Sequence, residues 1–277
     1  MRWSAQAAEA TEKEEKVSRR FEGKVALITG AGGGLGTLYA NAFSREGARI
    51  VAVDRPGVAI DVAAEIAAAG GQCLQLPADL TDQTAVEAMV DRALDEFGRI
   101  DILVNNAGGG SSSAGNAGSI AEESAESWDL LVASNLKTAF LCIRSVSTPM
   151  KSQRYGKIVN IASRAARVID PAVHQSPAYA AAKTGVLSLT RFAARELGSY
   201  GINVNCMAPS LAISGPVLQA YWDQTPEQGK DRYLKSIALG RLPRIEELSS
   251  VVLFLASEES SYITGVALDV NGGSYMP

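Results

Sequence analysis

Several residue types that would carry chemistry are scarce in this chain of 277 residues. There is one histidine, His174, which excludes a His-rich metal cluster. Three cysteines, Cys73, Cys142 and Cys206, lie far apart and form no C-x-x-C pair. So sparse and odd a set excludes a disulfide framework and reads as free thiols in a reducing compartment, hence a cytoplasmic protein. Positive charge is not in surplus. The formal net charge of −4 argues against a general binder of nucleic acid or of an anionic membrane. No apolar run approaches the roughly 20 residues that span a bilayer. The opening "MRWSAQAAEATEKEEKVSRR" lacks the apolar stretch of a secretory signal, so no export is expected.

What is present is the composition of a globular protein, with 47% hydrophobic and 20% charged residues. Residues 1–20 are rich in Glu, Lys, Arg and Ala and read as a flexible extension. From Lys24 onward, strand and helix patterns alternate. "KVALIT" (24–29), "RIVAVD" (49–54), "QCLQLPAD" (72–79), "IDILVNNAG" (100–108), "GKIVNIAS" (156–163), "INVNCMAPS" (202–210) and "VALDVNGG" (266–273) are strand-like. Helical spacing lies between them, for instance over 38–47, 58–69 and 84–98. Alternation of this kind predicts an α/β fold: one doubly wound domain over 21–277 with a seven-stranded parallel sheet flanked by helices. Two interruptions follow strand ends, where open α/β sheets bind ligands. One is the Gly/Ser-rich loop 108–119. The other is the long segment 210–243, expected to act as a substrate lid, in which Tyr221, Trp222 and Tyr233 are either lid packing or substrate walls.

The first strand runs into "TGAGGGLG" (29–36). Gly30, Gly34 and Gly36 let the backbone turn sharply and approach a pyrophosphate, with Leu35 beside them, and the following helix offers free N–H groups. The spacing is G-x-x-x-G-x-G, not the commoner G-x-G-x-x-G. Asp54 closes the second strand, where a carboxylate accepts hydrogen bonds from an adenosine ribose and repels a 2′-phosphate. That favours NAD over NADP. Arg55 points the other way, because an arginine there pairs with a 2′-phosphate.

"YAAAK" (179–183) puts a tyrosine and a lysine on one helix face, either as a solvated pair or as a proton-transfer device. Together with "PADLTD" (77–82), "NNAG" (105–108), "SNLKTAF" (134–140), "IVNIAS" (158–163), "NVNCMAPS" (203–210) and the C-terminal stretch 240–273, it resembles the short-chain dehydrogenase/reductase family from about Phe21 to Gly273. The resemblance implies one Rossmann-type domain, commonly a homotetramer or homodimer. Its activity moves a hydride between NAD(P) and a small-molecule alcohol or ketone. It makes Tyr179 the acid/base, Lys183 its partner, Ser163 the holder of the substrate oxygen, and Asn135 the anchor of a relay water. Asp79 and Leu80 would contact adenine, Asn106 and Ala107 would line the cofactor, and Ser214 replaces the family's usual nicotinamide-contacting threonine. By their own chemistry, Asn135 could equally bridge backbone groups and Asp79 could be a turn residue.

Two departures stand out. The interval from Ser163 to Tyr179 is about three residues longer than is common in the family, and Ser210 stands where glycine is usual. The enlarged segment carries Arg164, Arg167 and His174, which are either surface residues or contacts to an anionic substrate. A lysine ammonium about 4 Å from the phenol is worth roughly 4 kcal/mol at an effective dielectric near 20, about 3 pKa units. Tyr179 is therefore expected near neutrality, poised as a base. The sequence supports an NAD-dependent oxidoreductase of secondary alcohols. The rivals are an NADPH-dependent 3-oxoacyl thioester reductase and a non-catalytic nucleotide-binding regulator on the same fold.

Overall fold

The computed structural model describes residues 19–110, 119–169 and 176–277. Seven strands form one parallel sheet: β1 Val25–Thr29, β2 Arg49–Asp54, β3 Cys73–Pro77, β4 Ile102–Asn105, β5 Gly156–Ile161, β6 Ile202–Pro209 and β7 Ala267–Val270. Their spatial order is β3-β2-β1-β4-β5-β6-β7. Chain order reverses on either side of β1, which opens a crevice between the strand ends of β1 and β4. All seven sequence-predicted strands are found. The first helix, α1 (Gly34–Arg45), starts four residues before its apolar periodicity, because the glycine cluster itself forms its first turn.

Side chains alternate across the sheet and supply two cores, as strands covered on both faces require. Ala26, Ile28, Ile50, Ala52, Val104 and Val159 face α1, α2 (Val62–Ala68) and α9 (Ile245–Ala256). Val25, Leu27, Val51, Val53, Leu103 and Ile158 face α3 (Gln83–Phe97), α5 (Thr138–Gln153) and α6 (Pro177–Leu197). The remaining helices are α4 (Ala125–Val132) and the pair α7 (Pro216–Gln224) and α8 (Glu227–Lys235), which lie within the long segment after β6.

A π-helical turn, Ala133–Lys137, joins α4 to α5, so that helix runs without a break from Ala125 to Gln153. By length and composition it could cross a membrane. Its apolarity has a local reason, since Leu131, Ala139, Cys142, Val146 and Met150 are buried on one face. No uninterrupted apolar run marks this helix in the sequence, because polar residues punctuate it, although its mean hydropathy over 18 residues reaches 1.2. Arg20, assigned by sequence to the extension, is bound to the domain body by an ion pair with Glu46.

Asp101 ties β1 to the start of β4, at the end of these inner strands remote from the crevice. Its carboxylate is fully buried, accepts the Val25 N–H at 2.9 Å, and is held by Arg99 at 2.8 and 2.5 Å. Removing it orphans a buried strand N–H and a charge-assisted pair. Asp101→Ala is expected to lower the unfolding free energy by about 3 kcal/mol, read from urea titration with an unchanged m-value. A loss below about 1 kcal/mol contradicts this role.

Candidate active site

A cleft of about 630 Å³ opens at the C-terminal ends of β1, β4, β5 and β6. It is walled by the turn after β1, the start of α6, and the segment holding α7 and α8. Gly30, Gly34, Leu35, Asp54, Asn106, Ala107, Ser163, Tyr179, Lys183 and Ser214, all singled out in sequence, line it.

The turn after β1 is glycine-rich for steric reasons. Gly30 has φ +68°, a left-handed conformation that disfavours side chains. A Cβ at Gly36 would lie 1.9 Å from the Gly30 carbonyl oxygen, so only glycine allows α1 to begin against the strand end. Gly36 thus shapes the turn from behind rather than lining the cleft. The first turn of α1 has no side-chain cap and no acidic residue, which leaves its N–H groups to an anionic ligand. Thr29 fixes the opposite wall: its hydroxyl accepts the N–H groups of Asn106 and Ala107, both at 3.0 Å. The Asn106 amide donates back to the Thr29 carbonyl at 3.0 Å. Asp54 accepts the Gly32 N–H at 2.9 Å and the Arg55 N–H at 2.8 Å, which sets its carboxylate at the rim of the turn. Ser214 closes over Gly34, 2.9 Å from where a Cβ there would stand. A cradle that a Cβ would fill, uncapped helix donors and a strand-ending carboxylate together fit a dinucleotide.

The second half of the site is built on α6. Ser176 caps it, accepting the Tyr179 N–H at 3.3 Å, and Pro177 begins it. Ser176 in turn donates to Glu123 at 2.5 Å. Farther along, Lys183 is buried and donates to the Ile161 carbonyl at 2.8 Å, with its ammonium 5.7 Å from the centre of the Tyr179 ring. Ser163 ends the strand region and accepts the Ala165 N–H at 3.1 Å, opening the single 3-10 turn Arg164–Ala166.

Titration differs from the sequence expectation. Burial pushes the Tyr179 phenol above its ordinary value, and the hydrogen bond with Ser163 opposes that shift. Burial also pushes Lys183 down, to about 8. The sequence argument counted the attraction between the two groups and omitted the desolvation of both.

Asn135 sits in the π-helical turn, nearly fully buried. Its side-chain amide donates to the Leu131 carbonyl at 3.0 Å and to the Gly109 carbonyl at 3.2 Å. The Leu131 carbonyl is the one an α-helix would give to the backbone N–H of residue 135, so the amide substitutes for a ladder bond at this irregular turn. The Oδ1 of Asn135 is buried with no hydrogen-bond partner among the described residues, as the acceptor of a water or ligand would be.

Asp79 and Leu80 do not line the cleft. Asp79 is exposed and accepts from the Thr81 N–H and hydroxyl at 2.9 and 2.7 Å, bonds that hold its carboxyl below its usual value. The Leu80 side chain packs in the core beside Val53 and Val86. Arg167 is taken up by Asp269 at 3.1 Å, whereas Arg164 is buried and lines the cleft. His174 lies outside the described residues. Tyr233 joins the cleft wall, its hydroxyl accepting the Leu211 N–H at 3.0 Å, and Trp222 packs on it at 6.0 Å between centroids. Sequence reasoning missed Thr29, Ser176 and Glu123. The pair Ser176-Pro177 carries a legible helix-start signal, while nothing local marks Glu123 as a partner of a residue 53 positions away.

Comparison with known proteins agrees with this geometry. Residues 30–275 match a family model described as "Enoyl-(Acyl carrier protein) reductase". The chain is 40% identical over 254 residues to the (2S)-[(R)-hydroxy(phenyl)methyl]succinyl-CoA dehydrogenase subunit BbsD of Thauera aromatica, covering 91% of this chain and 97% of that protein. It is 36% identical over 255 residues to the 3-oxoacyl-[acyl-carrier-protein] reductase FabG of Thermotoga maritima, covering 92% and 98%. A solved 3-oxoacyl-[acyl-carrier protein] reductase from Brucella melitensis with bound NAD superposes with a TM-score of 0.82 at 31% identity, covering 94% of each chain. With its parallel seven-stranded sheet, its glycine turn and its Ser163, Tyr179 and Lys183 in one cleft, the chain belongs to the short-chain dehydrogenase/reductase family of oxidoreductases.

Proposed function

We propose that this enzyme is an NAD-dependent dehydrogenase of a secondary alcohol, working equally as the reductase of the corresponding ketone. The observation that carries the reading is the convergence of Ser163, Tyr179 and Lys183 in the cleft that also holds the Gly30–Gly36 turn and Asp54. The turn and the N-terminus of α1 would hold the pyrophosphate, with Leu35 against it. Asp54 would hold the adenosine ribose, and Asp79, at the rim beyond the cleft lining, the adenine side together with the backbone at Leu80, whose side chain belongs to the core. Asn106, Ala107 and Ser214 would flank the nicotinamide end. When bound, NAD supplies the acceptor of the hydride.

The protein's part is position and proton. Ser163 holds the alcohol oxygen by its hydroxyl, and Tyr179 as phenolate removes the hydroxyl proton while the carbon gives up its hydride. Lys183 stabilises that phenolate by charge, and the Asn135 Oδ1 orients a water through which the proton leaves. In the reverse direction Tyr179 donates. The segment 210–243 covers the substrate, with Tyr221 and Tyr233 in its wall.

The relatives that reduce 3-oxoacyl thioesters favour a second reading, an NADPH-dependent thioester reductase. Asp54 opposes it, because a carboxylate repels the 2′-phosphate. NAD⁺ is expected to be turned over at least tenfold more efficiently than NADP⁺, and Asp54→Ala to erase most of that ratio. Comparable wild-type efficiency with both would transfer the assignment to the second reading. Tyr179→Phe is expected to lower kcat by at least about 10²-fold for every accepted alcohol. A protein that binds NADH yet oxidises none would instead support a non-catalytic role.

The pH dependence follows from the burial of Tyr179. Its phenol is held above the ordinary value, so the basic form is scarce at neutrality and grows with pH. Oxidation efficiency, which reports the free enzyme, should climb by up to about tenfold per unit from pH 7 towards pH 8, and less steeply above it as Lys183 loses the charge that favours the phenolate. Lys183→Met removes a positive charge that favours the phenolate, so the rising limb should move to higher pH. A limb that stays in place shows that Lys183 does not act on Tyr179.

The long helix and α6 expose Leu130, Trp128, Phe140 and Phe192. We infer that it packs against further copies of the chain in a homodimer or homotetramer. Sedimentation should give one species of two or four chains, and a monomer at micromolar concentration contradicts the inference.

A further inference from the structure

The start of α6 carries a hydroxyl that hydride and proton transfer leave unused. Ser176 lines the cleft together with Ser163 and Tyr179, the residues assigned to the reacting oxygen. We propose that Ser176 accepts a hydrogen bond from a second hydroxyl of the substrate, and so makes this enzyme selective for diols and hydroxyketones over simple alcohols. The proposal rests on the dehydrogenase reading and adds the substrate class to it.

Placement is the first argument. Ser176 is the N-cap of α6, and its side-chain oxygen lies 3.3 Å from the backbone nitrogen of Tyr179. It therefore belongs to the end of the cleft where Tyr179 acts, not to the end built on the Gly30–Gly36 turn. A donor bound there is part of the same small molecule as the reacting carbon.

Polarity is the second argument, and it decides the kind of group. A serine hydroxyl has one proton to give and two lone pairs to receive. The proton goes to Glu123 at 2.5 Å, and one lone pair takes the Tyr179 N–H. Glu123 stands just before α4, which packs on α6, and it also accepts the Ser127 hydroxyl. The hydrogen bonds from Ser127 and Ser176 hold its carboxyl below the usual value, with the Ala178 N–H acting in the same sense. Glu123 is thus ionised at neutrality and can only accept. Ser176 cannot turn its proton to the cleft without breaking a bond to a carboxylate. What remains is one lone pair, which suits a donor and offers nothing to an ether or a carboxylate.

Charge is the third. Glu123 does not line the cleft, and each of its carboxylate oxygens already accepts a serine hydroxyl. Lys183 does line it, and its ammonium disfavours a cationic donor nearby. A neutral hydroxyl is the donor that fits. Oxidation takes a hydride and a proton from one carbinol and leaves the second hydroxyl intact, so a diol becomes a hydroxyketone.

The test compares kcat/KM with NAD⁺ for butane-2,3-diol, pentane-2,4-diol and hexane-2,5-diol, each against its monomethyl ether and its monodeoxy alcohol. The ether keeps the oxygen without the second donor, and the deoxy alcohol lacks both. Wild-type enzyme should prefer the diol of at least one spacing by about tenfold or more over both analogues. Ser176→Gly keeps most of the helix cap and removes the acceptor, so it should cost the preferred diol at least about tenfold more than its deoxy alcohol. Glu123→Ala frees the serine proton to point at the cleft, and the ether should then gain on the diol by at least about threefold. NADH binding by the variants shows that they are folded. A wild type that treats diol and analogues alike at every spacing overturns the proposal. So does a parallel loss on all substrates in Ser176→Gly, which would mark Ser176 as a helix cap alone, and so does an unchanged diol-to-ether ratio in Glu123→Ala. If the wild type oxidises no alcohol with either nucleotide, it is the dehydrogenase reading that falls. Thermal stabilisation of the protein by the diols against their ethers then decides whether Ser176 receives a hydroxyl.

Discussion

The contact on which this site depends is the approach of the α1 backbone at Gly36 to the carbonyl of Gly30, so close that a single added carbon would stand 1.9 Å from that oxygen. It lets a helix begin almost on top of the end of β1, with its uncapped N–H groups facing the crevice. Thr29 works from the other side, collecting the N–H groups after β4 so that the two strand ends diverge around a fixed gap. Asp54 then closes the rim by accepting the Gly32 N–H. The half of the cleft proposed to take the nucleotide is thus made mostly of backbone, held by a few short side chains.

The chemical half is made of side chains, and its precision comes from how α6 is attached. Lys183 is bound to the β5 carbonyl of Ile161, and a buried chain of amides runs from Asn105 through Asn160 to Thr190 on the same helix, at 2.8 and 2.9 Å. At its start the helix is capped by Ser176 and braced by Glu123. These attachments place Tyr179 between sheet and cleft, where burial raises its pKa and lowers that of Lys183. The same burial that positions the proposed acid/base would therefore set the pH at which it works.

Much of this was legible in the sequence. Continuous Val- and Ile-rich runs announce strands buried on both faces, and β1 is fully buried along its length. The glycine turn, Asp54 and the Tyr179–Lys183 pair follow from local spacing, and the structure brings them into one cleft. What stayed hidden depends on distant partners. Glu123 meets Ser176 across 53 residues, and Leu80 turns out to be a core side chain because the strand end points it inward. The π-helical turn at Asn135 arises from a side chain replacing a backbone bond, which periodicity cannot register. The direction of the Tyr179 shift was missed for a related reason: sequence spacing estimates a charge pair but carries no information on desolvation. Arg164 and Arg167 could not be told apart by composition; only the fold shows that Arg164 lines the cleft and that Arg167 meets Asp269, more than a hundred residues later.

The central claim is direct hydride transfer from an alcohol carbon with Tyr179 as the proton acceptor. Its sharpest test uses secondary alcohols carrying deuterium on the carbinol carbon, hydroxy acids included, with NAD⁺ and mass analysis of the NADH formed. The account predicts one deuterium in the NADH made by the wild-type enzyme, slower turnover than with the protiated alcohol, and almost no product from Tyr179→Phe. NADH without deuterium, or labelled NADH formed equally fast by Tyr179→Phe, would contradict it.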